Sequence, residues 1–217
     1  TLQTDFITIV DENTGLIKGE SSFLDWREQT YPDWMENVDI SQSLTLGTNV
    51  AFAQACHLMS TMAGLLQKTA DADFYHSKAE KLKQAINKHL WNEERGFYNQ
   101  YLYGRYFMNQ APRWEALGES LAILYQIADQ AKAEKITTQA PILPFGAPSI
   151  YPQILNVPPY HNDSVWPFVQ AFWNWATARA GNSEAVSQGI AALMRPAAFF
   201  LTNKENFVAT TGDYLGT

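Results

Sequence analysis

Two acid-bearing stretches near the ends of the chain hold the residues best equipped for chemistry. One reads Gly19-Glu20-Ser21-Ser22-Phe23-Leu24-Asp25-Trp26-Arg27-Glu28, the other Lys204-Glu205-Asn206-Phe207-Val208-Ala209-Thr210-Thr211-Gly212-Asp213. Both set carboxylates among aromatic rings in segments that read as loop rather than helix. Cleaving an acetal needs a proton on the departing oxygen and a water or nucleophile on the opposite face, and two carboxyl groups supply both. The acid of such a pair must stay protonated near neutral pH, so it needs burial or a neighbouring negative charge. Asp25 lies between Leu24 and Trp26 with Glu28 close by, and has sources of both. Glu205 follows the apolar run Ala197–Leu201 and adjoins Lys204, whose charge favours the ionised form a base requires. A plainer reading stays open: Asp25 pairs with Arg27 or caps a turn, and Glu205 is an ordinary acid past a helix end.

Aromatic content bears on what such a pair would act on, with a second reading open in which the rings simply pack a large helical core. Seven Trp, ten Tyr and twelve Phe exceed what a small core requires, and many fall beside turn residues. Sugar rings present apolar C–H faces that stack on such rings, while their hydroxyls need polar partners nearby. Trp26 and Trp34 are candidates for stacking. Glu28 is either a rival acid or a partner for sugar hydroxyls and Arg27. Arg113, Glu115 and Glu119 cluster around the start of a helix, where capping or ion pairing is expected rather than substrate contact. His57, His76 and His89 have no ligand-like spacing with other His, Cys or acids, so no zinc site and no other metal or cofactor is expected. Cys56, alone in an apolar stretch, reads as an inert buried thiol.

The elements that must position these residues are mostly helical. Residues 44–67 carry no charge and are apolar or small nearly all round, as a helix buried on most sides should be. Residues 71–90 instead carry one apolar stripe (Phe74, Tyr75, Ala79, Leu82, Ala85, Ile86, Leu90) and lysines elsewhere, which predicts an outer helix. The alternation repeats: 113–129 apolar, 131–138 charged, 163–179 aromatic-rich, 183–202 amphipathic. Asp163 or Ser164 is the expected N-cap of the aromatic helix and Gly181 its stop. Inner and outer helices in alternation predict an all-α array of αα-hairpins. Inserts interrupt it: extended pieces around Asn13-Thr14-Gly15, a hairpin turning at Glu94-Arg95-Gly96, and a long proline-rich loop over 140–162. Long loops on a rigid frame are where binding residues usually lie.

Composition excludes other classes. A charge of −7, from 15 basic and 22 acidic residues, argues against binding nucleic acid. No apolar run reaches the length that spans a membrane. At 217 residues and 46% hydrophobic, the chain forms one domain most simply. It starts at Thr1 without Met or a signal-like segment, so a processed product or a piece of a longer chain is expected.

Three motifs together carry a resemblance. Residues 19–28 resemble the acid-bearing loop of the (α/α)6-barrel, or six-hairpin, glycoside hydrolases, the group that includes trehalase, the processing α-glucosidases and the glycogen-debranching enzymes. Tyr160-His161-Asn162-Asp163-Ser164-Val165-Trp166-Pro167 resembles the loop these families place before an inner helix to line the sugar site. Glu205-Asn206-Phe207 followed by Thr211-Gly212 is similar to their Glu-Asn-Tyr and Thr-Gly motif. The resemblance implies Asp25 as general acid and Glu205 as general base of an inverting hydrolase acting on an oligosaccharide or glycoside, with an α-linkage. Trp26, Arg27, Glu28, Trp34, His161, Asn162 and Trp166 would bind substrate. A closed ring of six hairpins takes about twelve helices, against the five or so expected. Residues 1–217 are therefore expected to be the C-terminal portion of the catalytic domain, an incomplete barrel whose remainder a longer chain supplies. Two alternatives are a sugar epimerase on an α/α toroid and a non-catalytic αα-scaffold binding carbohydrate or protein. An epimerase would use paired histidines, of which only His161 sits in a suitable loop, and a scaffold would show polar loops and regular repeats.

Overall fold

The computed structural model describes residues 9–21, 30–202 and 204–215. Asp25, Trp26, Arg27 and Glu28 lie outside the described residues. Seven helices occur among those described. A short α1 (Asn37–Ser41) is followed by three pairs: α2 (Leu46–Leu65) with α3 (Thr69–His89), α4 (Ala116–Leu124) with α5 (Gln130–Gln139), and α6 (Pro167–Ala180) with α7 (Ser183–Phe200). The expected alternation of inner and outer helices holds. Helices α2, α4 and α6 pack side by side with α4 in the middle, α3 lies against α2, and α5 and α7 lie against α6.

Sequence chemistry explains the boundaries. Asp129 caps α5 by accepting from Lys132 N–H, and Asn182 caps α7 by accepting from Ala185 N–H; each such cap stabilises a helix by about 1 kcal/mol. Gly181 ends α6 in the left-handed conformation, φ 82°, as its expected role as stop signal requires. The expected N-cap of α6 is corrected. Pro167 occupies the first turn and Trp166 is the cap residue, while Ser164–Val165 form strand β8. Proline fixes its own φ and drives the preceding residue to extended backbone, so the helix cannot reach back to Asp163 or Ser164.

The core follows the layers. All nine residues of α4 are buried, since it has neighbours on both flanks. The indole rings of Trp114 and Trp173 meet edge to face at 5.1 Å between inner elements, a pairing worth about 1 kcal/mol beyond area burial. On α3 Tyr75, Ala79, Leu82, Ala85 and Ile86 of the expected stripe are buried, as is Leu90 just past its end, whereas Phe74 at the edge of the stripe is 42% exposed; Lys81 and Lys88 are exposed. The reading of α2 as buried on most sides holds only for its first half. Leu46, Val50, Ala53 and Cys56 are enclosed, whereas Leu58, Met62 and Leu65 are exposed, Leu65 to 80%. Among the inner helices α4 flanks α2 on one side, and no described helix packs on the other. Burial pushes the Cys56 thiol up to about 11, in keeping with an inert role.

Short strands collect at one end. β1 (Leu44–Thr45) leads into α2, β6 (Trp114–Glu115) into α4 and β8 (Ser164–Val165) into α6. β1 pairs with β4 (Tyr101–Tyr103), which pairs with β5 (Asn109–Ala111); β6 pairs with β7 (Ile150–Tyr151). β8 pairs with β9 (Asn206–Val208), which pairs with β10 (Tyr214–Leu215). The expected hairpin at Glu94–Gly96 is β2 (Trp91–Asn92) with β3 (Phe97–Tyr98), and Gly96 turns it at φ 73°. The turn at Asn13–Gly15 is held by the Asp11 carboxylate, which accepts from Thr14 N–H at 2.9 Å, with Val10 bridged to Ile17. Each outer helix returns the chain, so the three inner helices start at this strand-bearing end. No helix among the described residues is long and apolar enough to cross a membrane.

Two glycines should respond in opposite directions to alanine. Gly64 of α2 has open space where a methyl would go, so Gly64→Ala should stabilise the chain by about 1 kcal/mol through helix propensity. At Gly189 of α7 the methyl would stand 1.9 Å from Asn174 Oδ1 of α6, so Gly189→Ala should cost about 1–2 kcal/mol through overpacking. Urea unfolding of the two variants checks both signs.

Candidate active site

Two of the three motif segments are joined by main-chain pairing. Ser164 stands opposite Val208 and Val165 opposite Phe207, which brings the loop before α6 against the segment after α7. Val165, Phe207 and Ala209 close over this junction with Leu143 and Phe145 packed on them. Asp163 adds a further tie: its carbonyl accepts from Ala209 N–H at 3.2 Å and its carboxylate from Thr210 Oγ1 at 3.1 Å. Glu205 immediately precedes β9 and is exposed. Tyr160 donates its phenol hydrogen to Glu205 Oε2 at 2.7 Å. Lys204, expected to lend its charge to Glu205, has its ammonium 4.3 Å from the centre of the Tyr214 ring, a cation–π contact.

Both described flanks of the third motif meet this same end of the array. Gly19 N–H donates to Ser43 O at 2.8 Å and Gly19 bridges Leu44 of β1. Glu20 O accepts from Thr45 Oγ1 at 2.7 Å and from Thr48 Oγ1, which fastens it over the start of α2. Ser21 N–H donates to the buried Tyr31 hydroxyl at 2.8 Å. On the far side, Thr30 Oγ1 lies 3.1 Å from His161 Nδ1. The described chain is thus anchored beside inner helix α2 at Glu20 and against His161 at Thr30. His161 is the neighbour of Tyr160, and Tyr160 holds Glu205.

Other expected contact residues fall into two groups. His161, Asn162 and Trp166 are buried. His161 stacks on Trp166 at 5.3 Å, and the indole N–H donates to Tyr160 O at 2.9 Å and Ser164 Oγ at 3.1 Å. Asn162 commits its amide to the loop: Oδ1 accepts from Ile154 N–H at 2.7 Å, and Nδ2 donates to Ile154 O and Val157 O at 2.8 and 3.0 Å. His161 and Trp166 pack on the Tyr160 ring, and Asn162 braces the loop that carries them. Trp34 differs, with 59% of its surface exposed and its ring tilted over Tyr103 at 5.4 Å. Glu115 caps α4 by accepting from Gly118 N–H, the capping role expected of its cluster. Sequence reasoning passed over Tyr160 and Thr30. Tyr160 stood inside a quoted motif, but no spacing rule links it to an acid 45 residues away. No group of three or more His, Cys, Asp or Glu able to hold a metal occurs among the described residues.

The sequence profile of the mannosylglycerate hydrolase MGH1-like glycoside hydrolase domain matches residues 38–217. The chain belongs to this glycoside hydrolase family. The matched range includes 160–167 and 205–212 and begins after Asp25. No curated protein matches the chain. Among solved structures, mannosylglycerate hydrolase from Thermus thermophilus is similar at 18% identity and TM-score 0.64, over 80% of this chain and 42% of its own. Neutral trehalase from Saccharomyces cerevisiae is similar at 11% identity and TM-score 0.66, over 81% of this chain and 36% of its own. A structure described as a sialidase is similar at 16% identity and TM-score 0.75, over 99% of this chain and 21% of its own. The chain therefore spans well under half the length of these proteins. At such identities the likeness establishes the (α/α)6 toroid fold that the resemblance implied, with three helical pairs among the described residues.

A buried acid lies on the central inner helix of this family member. Glu119 is fully enclosed, and its Oε1 accepts from Tyr98 N–H at 2.8 Å. Burial pushes its carboxyl well above the usual carboxylate range; the Tyr98 N–H opposes the rise and the Glu115 charge adds to it. A carboxyl whose value is raised by folding binds its proton more tightly in the native state, so it favours folding at low pH. That advantage is lost as pH rises through the folded value. Glu119→Gln keeps the acceptor for Tyr98 N–H and removes the titration. The variant should gain stability over wild type as pH is raised from about 4 to 8, near and above the ordinary carboxylate value. Melting temperature across that range measures the divergence; parallel curves would contradict it.

Proposed function

We propose that residues 1–217 form the C-terminal portion of a six-hairpin catalytic domain that hydrolyses an α-linked O-glycoside with inversion, Asp25 acting as general acid and Glu205 as general base. What supports this reading is that the described flanks of the first motif approach the elements that carry the other two. Segment 22–29 is flanked by contacts to β1, α2 and His161, and Glu205 is held by Tyr160, the neighbour of His161. In the proposed step, Asp25 gives its proton to the departing glycosidic oxygen as the anomeric carbon–oxygen bond breaks. A water attacks the opposite face of that carbon and passes a proton to Glu205. The anomeric carbon exchanges one oxygen for another with no covalent enzyme intermediate, which needs carboxyl groups about 6.5–9.5 Å apart.

Exposed and buried groups divide the remaining work. The open face of Trp34 suits stacking against a sugar ring, with Trp26, Arg27 and Glu28 as partners from the acid's own segment. His161 and Trp166 back the Tyr160 ring, and Asn162 braces the loop that carries them. The apolar faces left open on α2 (Leu58, Met62, Leu65) and α6 (Phe168, Trp175) flank the fully buried α4. They suit the missing hairpins of the ring, in keeping with the 42% of the mannosylglycerate hydrolase that the chain spans. The family's description makes mannosylglycerate the first substrate to try, with trehalose as the second.

The full-length protein provides the test. Asp25→Asn and Glu205→Gln should each lower turnover by about a thousandfold or more while circular dichroism stays unchanged. Proton NMR of the first-formed sugar should show the anomer opposite to that of the substrate. Retention of configuration, or wild-type-like turnover in either variant, would remove the assignment.

A further inference from the structure

We propose that Tyr160 is the positioning residue of the general base: a neutral clasp that fixes the Glu205 carboxylate and leaves its second oxygen for the water. The inference rests on the base reading of Glu205 and deepens it. An exposed glutamate has three rotatable bonds, and ordering such a side chain costs conformational entropy. Without a partner Glu205 would spread over many rotamers, whereas a base must hold one lone pair in line with the attacked carbon. The phenol at 2.7 Å engages Oε2 and removes that freedom.

Tyr160 is suited to this because it is itself immobilised. Its ring stands edge-on to Trp166 at 5.1 Å and to His161 at 5.0 Å. Its carbonyl accepts from Trp166 Nε1 at 2.9 Å, from Ser164 Oγ, and from Asn206 Nδ2 at 3.1 Å. Asn206 is the residue after Glu205 and is fully buried. One tyrosine therefore grips two successive residues, the carboxylate through its hydroxyl and the next side chain through its carbonyl. Strand pairing between β8 and β9 fixes the spacing over which this grip acts.

The chemical type of the clasp also fits a base. A cationic partner would hold the carboxylate more strongly but would stabilise its charge and weaken it as a proton acceptor. The phenol orients the carboxylate with a dipole and adds no net charge. Lys204, the nearest cation in sequence, lies over the Tyr214 ring instead.

Tyr160→Phe in the full-length protein keeps the ring packing and deletes only the donor. The probes are α-mannosyl fluoride and α-glucosyl fluoride, whose leaving group needs little protonation, so turnover reports the base step. Tyr160→Phe should lower kcat by about tenfold to a hundredfold with KM within about twofold, because loss of orientation acts on the transition state more than on binding. Melting temperature should stay within about 2 °C, since the ring remains packed. An unchanged kcat, or a loss that appears in KM or in melting temperature instead, overturns the clasp. Glu205→Gln separates the two levels. If it is inactive while Tyr160→Phe is fully active, only the clasp fails. If it turns over the fluorides normally, or if the wild type hydrolyses neither, the base reading itself fails.

Discussion

The arrangement of the loop end depends on one short antiparallel pairing. Strand β8 runs into the start of α6 and β9 follows the end of α7, so their ladder closes the α6–α7 hairpin at the end opposite its Gly181 turn. Strands of two and three residues would not persist alone. They are held because Val165, Phe207 and Ala209 bury their side chains beneath Leu143 and Phe145, so the long proline-rich loop is recruited as a lid over the junction. A slip of one residue in this ladder would send every side chain to the opposite face. Phe207 would leave the core, Asn206 would lose the Tyr160 carbonyl, and Glu205 would part from the phenol. The polar contacts at the surface are thus set by apolar burial below them.

How far the sequence reveals this differs between frame and site. Of the stripe read on α3, Tyr75, Ala79, Leu82, Ala85 and Ile86 name the buried face because helical periodicity and lysine placement agree, while Phe74 at its edge is exposed. Gly181 marks a helix end because only a residue without a side chain adopts φ 82° freely. The start of α6 is misread, although Pro167 stands in plain view, because Asp163 and Ser164 are equally good caps by type and the proline constraint on Trp166 must be weighed first. Helix α2 is misread at its far end for a different reason. Composition reports that a residue prefers burial, and only tertiary neighbours decide whether burial is available. Strand pairs of two residues, such as β6 with β7, carry no periodic signal at all.

At the site, residue types are legible and their partners are not. Glu205 and the 160–167 motif stand out in the chain, yet the bond between Glu205 and Tyr160 crosses 45 residues and obeys no local rule. The same holds for Thr30 and His161, 131 residues apart. Asn162 shows the converse error of emphasis. An asparagine in a sugar-lining loop invites a role in binding hydroxyls, while here its amide is spent on Ile154 and Val157. A polar residue in a long irregular loop first has to satisfy the loop's own peptide groups, which otherwise go unmet on burial.

Family membership and fold answer different questions for this chain. Mannosylglycerate hydrolase, trehalase and a protein described as a sialidase share its helical frame at 11–18% identity, so the frame alone selects no sugar. What the frame does supply is a common end at which three inner helices begin, each introduced by a short strand. Loops joined to those strands inherit rigid anchor points, and side chains at their bases converge whatever the loops contain. That explains why the anchoring groups here are buried and ordinary, such as Thr45, Asn162, Ser164 and Asn206, while Trp34 sits further out with most of its surface exposed. Loop positions in this architecture are free to change because the hydrogen bonds that anchor the loop bases, such as those of Asn162, are made in the buried layer beneath them.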